Sequence, residues 1–147
     1  MFLGRYRHNL DSKDRLTIPA KFRDFLAEDL YFVQGFDRNV MAMSTPTFEK
    51  ITQRLAELSI TDPDVRLLNR RILGTATLET IDKNGRVLLP DFLIEEVGLG
   101  KELVLVGQGE YFEIWSPEEW AKQIAAQLDI EANNQRFKVL DLRLGSK

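Results

Sequence analysis

The chain has 147 residues, 44% of them hydrophobic, which is the size of one domain or two very small ones and enough apolar material for a packed core. It has no cysteine and one histidine, His8, which excludes disulfides, thiolate nucleophiles, Cys-rich zinc or iron–sulfur sites and any multi-histidine metal site within one chain. The net charge of −3 is unevenly spread: residues 1–23 hold six Lys/Arg against two Asp, a net +4, and residues 91–120 hold one Lys against eight Asp/Glu, a net −7, so one end suits phosphate and another does not.

A Ser-His-Asp triad would have to rest on His8 alone. No apolar run approaches the roughly 18 residues of a membrane span. The N-terminus places Arg5, Arg7, His8 and Asp11 where a secretory signal would need an apolar stretch, so the expected address is the cytoplasm.

In chain order, Arg5 to Leu10 and Arg15 to Ile18 are short candidate strands flanking a turn over Asp11–Asp14, and Ala20 to Leu26 has helical character after Pro19. Strands are expected over Leu30–Val33 and Val40–Met43. Thr45 then caps a helix with Pro46 at its first position, and Phe48, Ile51, Leu55 and Leu58 share one face. Asp62 and Pro63 open a linker helix that Gly74 ends. The second half runs through the Asn84-Gly85 turn, strands over Leu103–Val106 and Tyr111–Trp115 about a Gly107-Gln108-Gly109 turn, and a capping box, Ser116-Pro117-Glu118-Glu119. That box opens a helix with Trp120, Ile124 and Leu128 inward. Ile130 to Lys147 lacks a clean period and is expected to be a partly helical or frayed tail.

The two halves repeat. Asp11-Ser12-Lys13-Asp14-Arg15-Leu16-Thr17-Ile18-Pro19 recurs 71 residues later as Asp82-Lys83-Asn84-Gly85-Arg86-Val87-Leu88-Leu89-Pro90, and the same offset relates Thr45-Pro46 to Ser116-Pro117. Four of the five prolines belong to the repeat. Proline fixes φ, so the halves share a backbone plan and not only a composition. The expected organisation is a first unit over 1–60, a linker helix over 61–74, a second unit over 75–128 and a tail over 129–147. Short strands leave edges that another unit must cover.

The Asp-x-x-x-Arg turn, written twice, carries the chemistry. Asp11 and Asp82 can accept backbone N–H bonds and hold each turn. Arg15 and Arg86 follow with a planar fork suited to phosphate or guanine. An internal Asp–Arg ion pair that only fixes the hairpin is the competing reading. Lys13 and Lys83 stand nearby at non-equivalent positions, Lys13 aligning with Asn84 and Ser12 with Lys83, which suits phosphate contacts better than base readout.

The opening Met1-Phe2-Leu3-Gly4, the motif from Asp11 to Pro19, Arg70-Arg71-Ile72-Leu73-Gly74 and the run Asp82 to Pro90 resemble the MraZ family over essentially the whole chain apart from the tail. The resemblance implies an α+β, β-rich fold of two tandem AbrB-like swapped-hairpin units. It further implies a transcriptional regulator of the bacterial division and cell-wall gene cluster that binds repeated elements of double-stranded DNA upstream of its own gene and assembles into rings, without cofactor, membrane or small-molecule substrate. DNA-facing basic positions of AbrB-like domains fall on Arg15 with Arg23 and on Arg86 with Ile94, and a further one on His8 and on the acid Glu79. The second unit thus departs from the basic pattern, and Asp14 stands where the family usually has Gly. A nucleoid address and a greater dependence on Arg15 than on Arg86 are the corresponding expectations.

Other features read as structural. Arg66, Arg70 and Arg71 have phosphate as one candidate partner, but acids on a neighbouring half or protomer are the expected ones, because Val65, Leu68 and Ile72 take the buried face and leave Arg66 and Arg70 on a different one. Glu95, Glu96, Glu118 and Glu119 sit on helix surfaces and in first turns rather than as a hydrolytic pair, and Trp115, Trp120 and Phe48 suit the core. The alternative function is a non-DNA oligomeric scaffold or protein-interaction module using the same basic turns.

Overall fold

The polypeptide, in a computed structural model, is described over residues 1–145. Residues 1–116 form one compact unit. Its strands are β1 (Arg5–Asn9), β2 (Arg15–Thr17), β3 (Asp29–Gln34), β4 (Val40–Met43), β5 (Thr77–Thr80), β6 (Arg86–Leu88), β7 (Glu102–Gly107) and β8 (Phe112–Trp115). Helices α1 (Ala20–Arg23), α2 (Thr45–Ala56), α3 (Pro63–Ile72) and α4 (Asp91–Val97) lie between them. The second unit, residues 117–147, contains α5 (Pro117–Gln127) and α6 (Ile130–Lys138). The end of the expected tail, Ser146 and Lys147, lies outside the described residues.

The fold is α+β, and the repeats are interleaved. Six antiparallel strands run in the order β1-β7-β8-β4-β3-β5, and β2 and β6 form a separate two-stranded ribbon. Each half gives its outermost strand to the other: β1 pairs with β7 and β5 with β3. The ribbon likewise takes one strand from each half.

One apolar cluster lies between the six-stranded sheet and the ribbon with α1 and α4. It joins Leu16 and Ile18 to Val87 and Leu89, with Leu30, Phe32, Leu103 and Leu105 beneath them. Phe22 is its hub, with ring centroids 5.2 Å from Phe2 and Tyr6 and 4.9 Å from Phe112. Because β-strand side chains alternate, the opposite face of β3 and β4 presents Val33, Met41 and Met43 to Phe48 and Leu55 of α2 and Ile72 of α3. Both faces of these strands are buried, which explains their nearly continuous apolar runs.

Several local expectations are corrected. Ser44, not Thr45, caps α2, its Oγ accepting from the Thr47 N–H. Leu58 and Leu128 lie beyond the ends of α2 and α5 and are exposed, not inward. Asp62 caps α3 as expected, its Oδ1 accepting from the Asp64 N–H at 2.9 Å. Within the chain, Arg66 and Arg71 donate to backbone carbonyls, of Ile60 and Thr61 and of Gly35 and Asp37. Loop carbonyls without ladder partners are the nearer acceptors.

Candidate nucleic-acid interface

Both Asp–Arg turns close in the same way. Asp11 Oδ1 accepts from the N–H groups of Lys13 and Arg15, each at 2.9 Å, and Oδ2 accepts from Arg15 Nε at 2.7 Å. Asp82 Oδ1 accepts from Asn84 and Arg86 N–H groups, and Oδ2 from Arg86 Nε, all at 2.9 Å. The Asp11 and Asp82 N–H groups donate to the Arg15 and Arg86 carbonyls. The fourth residue of each turn is left-handed, Asp14 at φ 57° and Gly85 at φ 76°, and Asp is one of the few side chains that tolerate this. The Arg15 N–H, first among these donors, holds the Asp11 carboxyl at about 2; the Arg86 N–H lowers that of Asp82 in the same way.

This geometry makes each aspartate a brace. It engages the Nε edge of its arginine and leaves the guanidinium plane oriented before any ligand arrives. The internal Asp–Arg ion pair thus both fixes the turn and aims the fork.

The ribbon brings the two forks together. Leu16 pairs with Val87, Arg15 with Leu88 and Thr17 with Arg86. Directly opposed residues lie on one face. Leu16 and Val87 turn into the core at 0% and 1% exposure, so Arg15, Thr17, Arg86 and Leu88 all project outward. Reciprocal bonds from Ile18 N–H to Gly85 O, 2.8 Å, and from Leu89 N–H to Asp14 O, 2.9 Å, tie each strand to the other turn.

A model of the MraZ protein family, described as antitoxin-like, matches residues 1–71 and again 72–141. This chain belongs to the MraZ family. It is 38% identical to the transcriptional regulator MraZ of Roseiflexus castenholzii over 97% of this chain and 99% of that one. It is 41% identical to the protein of that name from Thermomicrobium roseum, over 84% and 87%, and 39% identical to that from Leuconostoc citreum, over 85% and 87%.

Within this MraZ chain the structure regroups the basic residues. Arg23 was expected to serve the first turn, but its guanidinium lies over the second: a Cβ added at Gly85 would stand 2.5 Å from Arg23 Nη1 and 2.7 Å from Cζ. Strand exchange is the reason, because α1 follows β2, and β2 leads to the turn of the opposite half. The repeat equivalent of Arg23 is Ile94, which packs against the core. Where Ile94 replaces Arg23, Asp14 replaces Gly85. Asp14 also receives a cation that inspection of the motif misses: Lys101 Nζ lies 3.1 Å from Asp14 Oδ1 and donates to the Asp11 carbonyl. Its signal is long-range, ninety residues from Asp11, and no local pattern contains it.

Lys13 and Lys83 are exposed at the two turns. His8 is placed differently. It lies on the core-facing side of β1 with Tyr6, half-buried, and desolvation lowers its pKa, which favours the neutral ring. Its counterpart Glu79 on β5 is also half-buried, and desolvation raises its pKa. Burial moves both positions toward their uncharged forms. Of the acids of residues 91–120, Glu113 is buried and accepts from Trp115 Nε1 and Gln108 Nε2, and Glu110 pairs with Lys50. Among the described residues, no helix is long and apolar enough to cross a membrane.

Proposed function

We propose that this chain is a transcriptional regulator that binds duplex DNA through the outer face of the β2–β6 ribbon. The observation that carries the reading is the pair of aspartate-braced arginines on one exposed face. A two-stranded ribbon fits the major groove, where an Arg fork can bond guanine O6 and N7. Lys13, Lys83 and Arg23 flank the forks and serve phosphates. His8, half-buried with its neutral form favoured, suits a hydrogen bond better than a phosphate contact. The relatives' name, transcriptional regulator, supports the same class.

The finer reading is a regulator of the division and cell-wall gene cluster, acting in the cytoplasm at the nucleoid on repeated promoter elements as a ring of protomers. The three phosphate-facing cations of a protomer, Lys13, Lys83 and Arg23, each worth a salt slope of about 0.9, make solitary binding weak at physiological salt. Self-association multiplies the contacts. Exposed apolar side chains such as Phe36 and Leu67, about two-thirds exposed beside one groove, support association of copies. Capture of genomic fragments by the full chain, followed by sequencing and salt titration, tests the proposal. Enrichment of repeat-containing promoter fragments with steep salt dependence is expected. Uniform recovery of all fragments would return the basic turns to the scaffold reading.

A further inference from the structure

The ribbon's outer face contains one residue that neither charge nor packing explains. Leu88 is 48% exposed beside Arg15, with the core side of its strand already supplied by Val87 and Leu89 at 1% and 0%. The repeat provides an internal control. Its equivalent 71 residues earlier is Thr17, which pairs with Arg86 as Leu88 pairs with Arg15. The same backbone site thus accepts a polar residue, so the fold does not demand a leucine there.

We propose that Leu88 is a base-reading residue that contacts the 5-methyl group of a thymine next to the guanine engaged by Arg15. This rests on the DNA-binding reading above and goes beyond it by naming a residue and the group it reads. Directly opposed Cβ atoms on a ribbon stand about 4.5–5.5 Å apart. Successive bases of one strand are about 3.4 Å apart along the axis, a spacing on the scale that lets Leu88 and Arg15 address neighbouring base pairs. Of the four bases only thymine presents a methyl group in the major groove, and an apolar side chain is its partner. Asp11 fixes the Arg15 fork through Nε, which sets where the guanine must lie and hence which base edge Leu88 meets.

A directional site follows. The pseudo-twofold relation through Leu16 and Val87 would make a ribbon with identical halves read an inverted repeat. With Leu88 beside Arg15 and Thr17 beside Arg86, the Arg15 half prefers a thymine and the Arg86 half has a hydroxyl and one methyl to offer. The two ends of the element are thereby distinguished.

The test uses the full chain and a random duplex pool selected on the wild-type protein. The most enriched duplex is remade with each thymine replaced singly by uracil, which removes only the methyl. Next to the guanine that Arg15→Ala ceases to require, uracil is expected to weaken wild-type binding about fourfold, the worth of one buried methyl. Leu88→Ser is expected to bind the thymine and uracil duplexes equally, with its circular dichroism unchanged. Thr17→Leu is expected to gain a thymine preference beside the guanine read by Arg86. A selected duplex with no methyl dependence at that position, or a Leu88→Ser variant that keeps it, overturns the role of Leu88 and leaves DNA binding standing. A pool that yields no enriched duplex overturns the DNA-binding reading together with this inference.

Discussion

Leu16 and Val87 stand 71 residues apart, occupy the same place in the repeat, and pair with each other at the centre of the β2–β6 ribbon. A twofold relation between the halves therefore passes through one residue pair, and Arg15 and Arg86 lie on either side of it on a common face. The halves need each other because β1 pairs with β7, β5 with β3, β4 with β8 and β2 with β6, and only β3–β4 and β7–β8 pair within a half. Residues 1–74 alone would leave β1, β2 and β3 with exposed edges. They are expected to be unfolded as a monomer or to fold only as a dimer of themselves, Leu16 opposite Leu16. A folded monomer of 1–74 by sedimentation and circular dichroism would contradict this.

The arginines are expected to matter comparably. Motif reading favours Arg15, but the structure places Arg23 at the second turn, and Asp14 with its Lys101 partner at the first. Arg15→Ala and Arg86→Ala should each cost about 1–3 kcal/mol of specific binding per engaged protomer and relax preference at one position. Lys13→Ala should weaken all sequences alike and lower the salt slope by about 1. Titrations of specific and scrambled duplexes at several salt concentrations decide this, and a much larger loss for Arg15 would restore the asymmetric reading.

Gly85 and Arg23 should be thermodynamically coupled. Gly85→Ala imposes a left-handed backbone on a side chain, at roughly 1–2 kcal/mol, and pushes a Cβ into the Arg23 guanidinium. Arg23→Ala removes the second penalty but not the first. The double variant is therefore expected to be less destabilised than the sum of the single variants in urea unfolding, whereas additive losses would show that the guanidinium moves aside freely.

Acid should weaken the fold through the braces. The folded-state pKa of Asp11 is depressed from 3.8 to about 2, and that of Asp82 is depressed as well. Their contribution is complete above the ordinary value of 3.8 and is lost as pH falls through it toward 2. His8 acts at higher pH: its folded pKa lies below its ordinary value of 6.5, so stability declines as pH falls below 6.5. Denaturant midpoints for Asp11→Asn should vary less between pH 4 and 2 than those of the wild type, and His8→Gln should flatten the curve just below pH 6.5. An unchanged profile in either variant would remove the assigned cause.

Phe22 joins both halves at the core, so its truncation should be global. It is 1% exposed and packs on Phe2, Tyr6 and Phe112. Phe22→Ala is expected to cost about 3–5 kcal/mol. The loss should appear in a single unfolding transition of residues 1–116, monitored at the amides of β2 and β7 by hydrogen exchange. Separate transitions for the two strands would argue against one core.

Much of the molecule could be read from residues alone. The proline-anchored repeat, the Asp-x-x-x-Arg turns, the order of elements within each half and the family resemblance are local patterns, set by proline's fixed φ, aspartate's capping and side-chain periodicity. Even the left-handed tolerance of Asp14 belongs to the residue type. What the tertiary structure decided is which half each piece serves. Strand exchange assigns β1 to β7, carries Arg23 to the Gly85 turn, brings Lys101 to Asp14 and lines Leu88 up with Arg15. It also half-buries His8 on the core-facing side of an edge strand, which disfavours the charged ring there. Pairing across tens of residues depends on register and on which edges need cover, and neither is encoded in a window short enough to inspect.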